Sequence, residues 1–201
     1  FFTPGYIKGN KVRAYGVPGP ASFVMQVLSR QMEQPFFPVS LNNTFPMLDF
    51  YDLPASHLDL GSGRVSYLRT NHPDFCAAYR FDEKGRSFVY FTDNELFPSD
   101  KPQTSRSEMV AFCRDADILL HDSQYTRDEI GRKLGWGHST NLDSVDLAIE
   151  SGVKKLILFH HDPTRTDAGV DAMLAEAVVY SASRKPSLKI EAAKEYTEIK
   201  L

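Results

Sequence analysis

Along the chain the apolar positions change period near its middle. Residues 12–17 (VRAYGV) read as a strand, stopped by Pro18, Gly19 and Pro20. Over 21–32, Phe23, Val24, Val27, Leu28 and Met32 recur at helical spacing, which marks the core face of a helix. Residues 34–46 carry prolines and asparagines and read as a loop with packing aromatics, Phe36, Phe37 and Phe45. Residues 47–53 and 64–69 follow as strands, with Gly61-Ser62-Gly63 as a turn. The β-rich runs 75–81 and 87–91 form a hairpin across Asp82-Glu83-Lys84-Gly85.

After residue 105, strands alternate with helices. Residues 105–114 form a helix with Ser105 as N-cap and Glu108 three residues on, a capping box. Residues 117–120 are a short apolar strand ending on His121 and Asp122. Residues 128–134 read as a short helix and 135–140 as a loop, and Asn141 caps a helix that runs to Glu150 and stops at Gly152. Residues 156–159 (LILF) are an unbroken apolar run, the pattern of a strand buried on both faces. That run ends on His160, His161 and Asp162, and Pro163 stops it. A long helix over 167–183 and a closing strand over 188–191 complete the chain. The hairpin-rich first half and alternating second half fit one α/β domain over 1–201, a mixed sandwich with sheets inside and helices outside.

At 42% hydrophobic, 201 residues can bury a sizeable core. The net charge of −3 gives no electrostatic footprint for nucleic acid. No apolar run approaches the ~20 residues of a membrane span, so no membrane partner is expected. The opening FFTPGYIKGN lacks the basic-then-apolar pattern of a signal peptide. Cys76 and Cys113 each lie in apolar stretches and read as reduced core thiols. Together these point to a cytoplasmic protein, with homodimerisation left open.

The polar residues carry the functional signal. His72, Asp93, Asp122, His138 and His160 each follow a predicted strand or sit in a loop entering a helix. Side chains from several strand ends can converge on one rim of a sheet. Imidazole and carboxylate are the usual ligands of Zn²⁺ and similar metals. The bland readings compete: Asp93 in Thr-Asp-Asn-Glu is an ordinary turn-former, and His138 an ordinary loop residue near an N-cap. His57 and His121 are assigned to structure.

The order His72-Pro73, YRF…GRSFVYFTD, ADILLHDSQY, GHST and LILFHH resembles the metallo-β-lactamase superfamily. The likeness is to its tRNA 3′-processing ribonuclease and phosphodiesterase branch, which runs a His, "GYRI…YSGDT", "ADLLIHEAT", "HST" and "LILTH". It covers roughly residues 72–162. The resemblance implies a four-layer αβ/βα sandwich and a centre of two divalent metals, zinc first, manganese or iron as alternatives. It implies His72, Asp93 and His160 as metal ligands, with Asp93 bridging. Asp122 stands where the branch has a glutamate, one methylene longer, and His138 matches the histidine of HST. In the family this pair assists catalytically at the scissile phosphate.

The family's H-x-H-x-D-H metal motif does not occur in the 201 residues. The expectation is a fragment that begins just after that motif, lacks the N-terminal strands, and alone holds at most one metal with little activity. The resemblance implies hydrolysis of a phosphodiester, with a small phosphodiester or nucleotide favoured over long RNA. Two further readings stay in view: thioester or lactone hydrolysis on the same fold, and a metal-free binding or scaffold domain with a decayed site.

Overall fold

The computed structural model describes residues 11–16, 18, 23–38, 48–98 and 100–200. The expectations for Phe1, Phe2 and Phe45 lie outside them. The chain divides into two compact units, residues 1–58 and 59–201.

In the first unit, β1 (Val12–Gly16) pairs in parallel with β2 (Leu48–Asp52), Tyr15 opposite Tyr51. Their rings stack with centroids 5.3 Å apart. Helix α1 (Phe23–Gln31) lies between them in sequence, and Leu28, Phe37, Leu48 and Phe50 pack against the buried Met32.

The second unit is built on a seven-stranded sheet in the order β3-β4-β5-β6-β7-β8-β9. Its strands are β3 (Leu58–Asp59), β4 (Gly63–Arg69), β5 (Ala77–Glu83), β6 (Arg86–Phe91), β7 (Ile118–Asp122), β8 (Lys155–Phe159) and β9 (Lys189–Ala192). Strands β4, β5 and β6 pair antiparallel, and β6 to β9 pair in parallel. The β5–β6 turn is shorter than the four residues expected. Lys84 and Gly85 make it, both at positive φ (50° and 76°), the geometry of a tight two-residue hairpin.

Parallel neighbours need crossovers, and three helices supply them: α2 (Arg106–Cys113), α3 (Asn141–Glu150) and α4 (Asp167–Ala182). Side chains alternate across the sheet. Val89, Phe91, Leu119, Leu156 and Leu158 pack with Met109 and Cys113 of α2, Val145 and Ala148 of α3, and Ala177 of α4. Ile118, Leu120 and Ile157 are buried on the opposite face. Strand β8 is therefore buried on both faces, as its unbroken apolar run implies. The expected α/β class is what the structure has.

Helix starts follow local chemistry. Ser105 and Glu108 form the expected capping box. At α3 the cap is Thr140 rather than Asn141: Thr140 Oγ1 accepts from Asp143 N at 3.1 Å. Asn141 instead donates to the Met173 carbonyl and the Glu176 carboxylate. The helix expected over 128–134 is only a 3₁₀ turn, Ile130–Arg132. Seven residues with Gly131 inside cannot offset the cost of nucleation. Cys113 is buried, but Cys76 is only half-buried, its Sγ 3.4 Å from His72 Nδ1.

The topology fixes one edge of the sheet. β4 runs antiparallel to β5, and β5 antiparallel to β6, so β4 points the same way as β6, β7 and β8. The chain leaves these four strands at the same edge, the usual place for a site on such a sheet. His72, Asp93, Asp122 and His160 all fall at those exits.

Candidate metal centre

The exits differ in how they hold their side chains. Asp93 and His160 follow β6 and β8 at positive φ, 52° and 58°. Non-glycine residues there are uncommon, Asp and His among the more tolerant. Asp93 Oδ1 lies 3.5 Å from His160 Nε2, and each side chain is about one third exposed, 34% and 33%.

Asp122 ends β7 and is fully buried. Its Oδ2 lies 2.8 Å from His138 Nδ1 and accepts from Asn94 N at 3.4 Å. Its Oδ1 accepts from Ser139 N at 3.1 Å and Gln124 N at 3.3 Å. The carboxylate thus fixes the ring of His138, whose Nε2 makes no hydrogen bond among the described residues. Burial works against protonating His138. The hydrogen bond and charge of Asp122, with Asp93 and Glu95 behind them, outweigh it and hold the imidazole above its ordinary pKa.

The His138 loop is anchored by a residue that sequence reading missed. Glu95 is buried, and its carboxylate accepts from Gly135 N at 2.9 Å and Gly137 N at 3.1 Å. Gly137 is at φ 88°, and a Cβ there would overlap the His72 ring. Glycine is what lets the loop press against His72. Glu95 looks like one more acid in a turn; its only sequence signal is its place beside Asp93.

The five candidate residues come together. His72, Asp93 and His138 each offer a ligand atom, all within 4.8 Å of one another, and so do Asp122, His138 and His160. The rings of His72 and His138 are 5.6 Å apart and those of His138 and His160 are 4.9 Å apart. His138, expected as a catalytic group outside the ligand set, belongs to both groups. The donors are imidazole nitrogen and carboxylate oxygen at spacings one ion can span, so the residues fit a divalent metal.

His121 and His161 stay out of the rim groups. His121 is fully buried; Nδ1 sits 2.7 Å from the Asp122 carbonyl oxygen and 2.9 Å from Ser144 Oγ. Burial pushes its pKa down to about 4, so it is neutral and structural, as expected. His161 has both ring nitrogens shielded and unpaired, and burial lowers its pKa. His57 is exposed and far along the chain from the rim.

The sequence pattern of a beta-lactamase superfamily domain matches residues 19–161. The chain belongs to the metallo-β-lactamase superfamily. Among its relatives is a probable metallo-hydrolase, YhfI of Bacillus subtilis, 27% identical over 121 residues, covering 57% of this chain and 45% of that protein. A ribonuclease Z of Prochlorococcus marinus subsp. pastoris is 34% identical over 112 residues, covering 54% of this chain and 32% of that protein. The crystal structure of unliganded yeast PDE1 superposes with a TM-score of 0.68 at 14% identity, over 95% of this chain and 61% of that one. The chain spans less than half the length of these two curated relatives. A divalent-metal site is what this fold implies, and the rim carries the donors for it. No helix among the described residues is long and apolar enough to cross a membrane.

Proposed function

We propose that this protein is a metal-dependent hydrolase acting on phosphodiesters. The observation that carries the reading is the convergence of His72, Asp93 and His160 on His138, whose ring the buried Asp122 fixes. His72, Asp93 and His160 would take part in holding two divalent metals, zinc first and manganese or iron as alternatives, with His138 beside them and its Nε2 free of hydrogen bonds among the described residues. Metals bound there would supply Lewis acidity to a phosphoryl oxygen and to the attacking water.

The chain's own groups do the rest. Asp93 and His160 are open to solvent and to ligand. Asp122 sets the orientation of His138. His138, held above its ordinary pKa, carries its proton closer to neutral pH. It can hydrogen-bond a phosphoryl oxygen or give a proton to the leaving oxygen. A ribonuclease Z among the relatives is in keeping with a phosphodiester. A small phosphodiester or nucleotide suits the net charge of −3 better than long RNA, whose phosphates favour cationic surfaces.

Thioester or lactone hydrolysis on the same fold is the second reading; the Asp122–His138 pair at the rim is what favours phosphoryl chemistry. The test is hydrolysis of bis(p-nitrophenyl) phosphate by the full-length protein with Zn²⁺ or Mn²⁺. Turnover should appear with metal and vanish with a chelator. Turnover of a thioester or lactone alone would replace this reading with the second. No metal and no turnover would leave a scaffold domain.

A further inference from the structure

The loop that carries His138 is built to keep a tryptophan in solvent. Trp136 stands between Gly135 and Gly137, at φ 83° and 88°, and is 56% exposed. Both glycine N–H groups are held by the buried Glu95, and Gly137 is wedged against His72 and Pro73. The loop is therefore tied at both sides of the ring. Leaving so large an apolar side chain in water forgoes its burial free energy, and this loop has no slack to tuck it in.

Its neighbours point to a ligand. The Lys133 ammonium, 3.4 Å from Asp162 Oδ2, lies 5.4 Å from the Trp136 ring centroid and 4.3 Å from that of Tyr125. Tyr125 in turn meets His138 edge-on at 6.1 Å. An exposed aromatic face, a cation and the His138 ring thus follow one another along the rim. A flat ring with an anion attached would use both the face and the cation. Base stacking on aromatic side chains beside basic groups is how proteins hold single nucleotides without reading their sequence. An alkyl ester would leave the flat face unused.

We propose that Trp136 is the stacking surface for the base of a nucleotide whose phosphodiester lies at the His138 rim, with Lys133 facing its phosphate. This rests on the phosphodiesterase reading above and narrows its substrate class.

Two substrates with the same leaving group test it on the full-length, metal-loaded protein: thymidine 5′-(p-nitrophenyl phosphate) and ethyl p-nitrophenyl phosphate. The native protein should prefer the nucleoside. In Trp136→Ala the ratio of the two kcat/KM values should fall by about 5- to 150-fold, the ~1–3 kcal/mol of one stacked base. Trp136→Phe should keep most of it. A ratio unchanged in Trp136→Ala overturns the proposal, since a loop prop would affect both substrates alike. A binding readout separates this from failure of the hydrolase reading. The 201 residues contain one tryptophan. The fluorescence difference between native and Trp136→Phe proteins should be quenched saturably by adenosine 5′-monophosphate and not by ribose 5-phosphate. Absence of quenching, or equal quenching by both, overturns stacking even where phosphodiesters are hydrolysed. Selective quenching supports stacking even where they are not.

Discussion

Asp93 and Asp122 follow parallel strands at the same edge of one sheet, yet they are held in opposite ways. Asp122 is fully buried, and both of its oxygens are spent on neighbours. The residues around it are treated alike. Asn71 donates to the carbonyls of Glu95 and Thr104 and accepts from Thr104 N at 2.9 Å. Ser139 Oγ donates to the Asn94 carbonyl at 2.6 Å. Asp93 pairs with His160 at 3.5 Å, its side chain is about one third exposed, and both residues adopt a backbone conformation that costs free energy. The row behind the rim is thus satisfied by the protein, while Asp93 and His160 at the rim are partly open to solvent. On the proposed function, residues in the satisfied row would set geometry and stability, and residues in the open row would set binding and turnover.

That contrast can be broken by substitutions that separate the two properties. The largest effect belongs to His138→Ala. Phosphodiester turnover should fall by roughly 10²–10⁴, the usual share of a general acid, while stability falls by no more than about 1–3 kcal/mol, the cost of one lost partner of Asp122. A large drop in melting temperature with turnover retained would move His138 into the supporting row. Next comes Asn71→Ala, which strands the Thr104 N–H and two carbonyls. Each buried group left unpaired costs about 1–3 kcal/mol, so urea denaturation should show a loss of at least that size. A loss below about 0.5 kcal/mol, ordinary for a surface site, would contradict the satisfied-row account.

A pH effect sharpens the same division. The folded pKa of His121 is depressed to about 4, below the ~6.5 of an unfolded chain. The neutral ring's contribution is therefore complete above pH ~6.5 and is lost as pH falls toward 4. Lys154 and the Ser87 N–H hold Asp117 below the usual carboxylate range against the opposing effect of burial, so its contribution is lost at lower pH still. Melting curves between pH 7 and 4 should fall, and His121→Gln should flatten that fall. The smallest effect is Asp93→Asn in metal-free protein, where stability should stay within about 0.5 kcal/mol. A clear destabilisation would mean that Asp93 already serves the fold.

Much of this was legible in the chain. The LILF run named β8, the capping box named α2, and the strand exits with their histidines and acids named the rim. What stayed hidden depends on contacts distant in sequence. Glu95 is a turn acid until Gly135 and Gly137 arrive 40 residues later with N–H groups to satisfy. Thr140 and Asn141 can both cap a helix, and only the carbonyl of Met173 and the acid of Glu176 decide which does. Residues 128–134 have helical composition but too little length. The two-residue β3 is too short to leave a periodic trace.

The most direct test of the open rim is metal binding by the full-length protein and its Asp93→Ala variant, measured as equivalents per chain beside metal-free melting curves. The native protein should bind about two equivalents, as a two-metal phosphoryl-transfer site requires. Asp93→Ala should lose most of that binding with its metal-free melting temperature intact. A native protein that binds no divalent metal, or a variant that binds as the native does, would contradict the assignment.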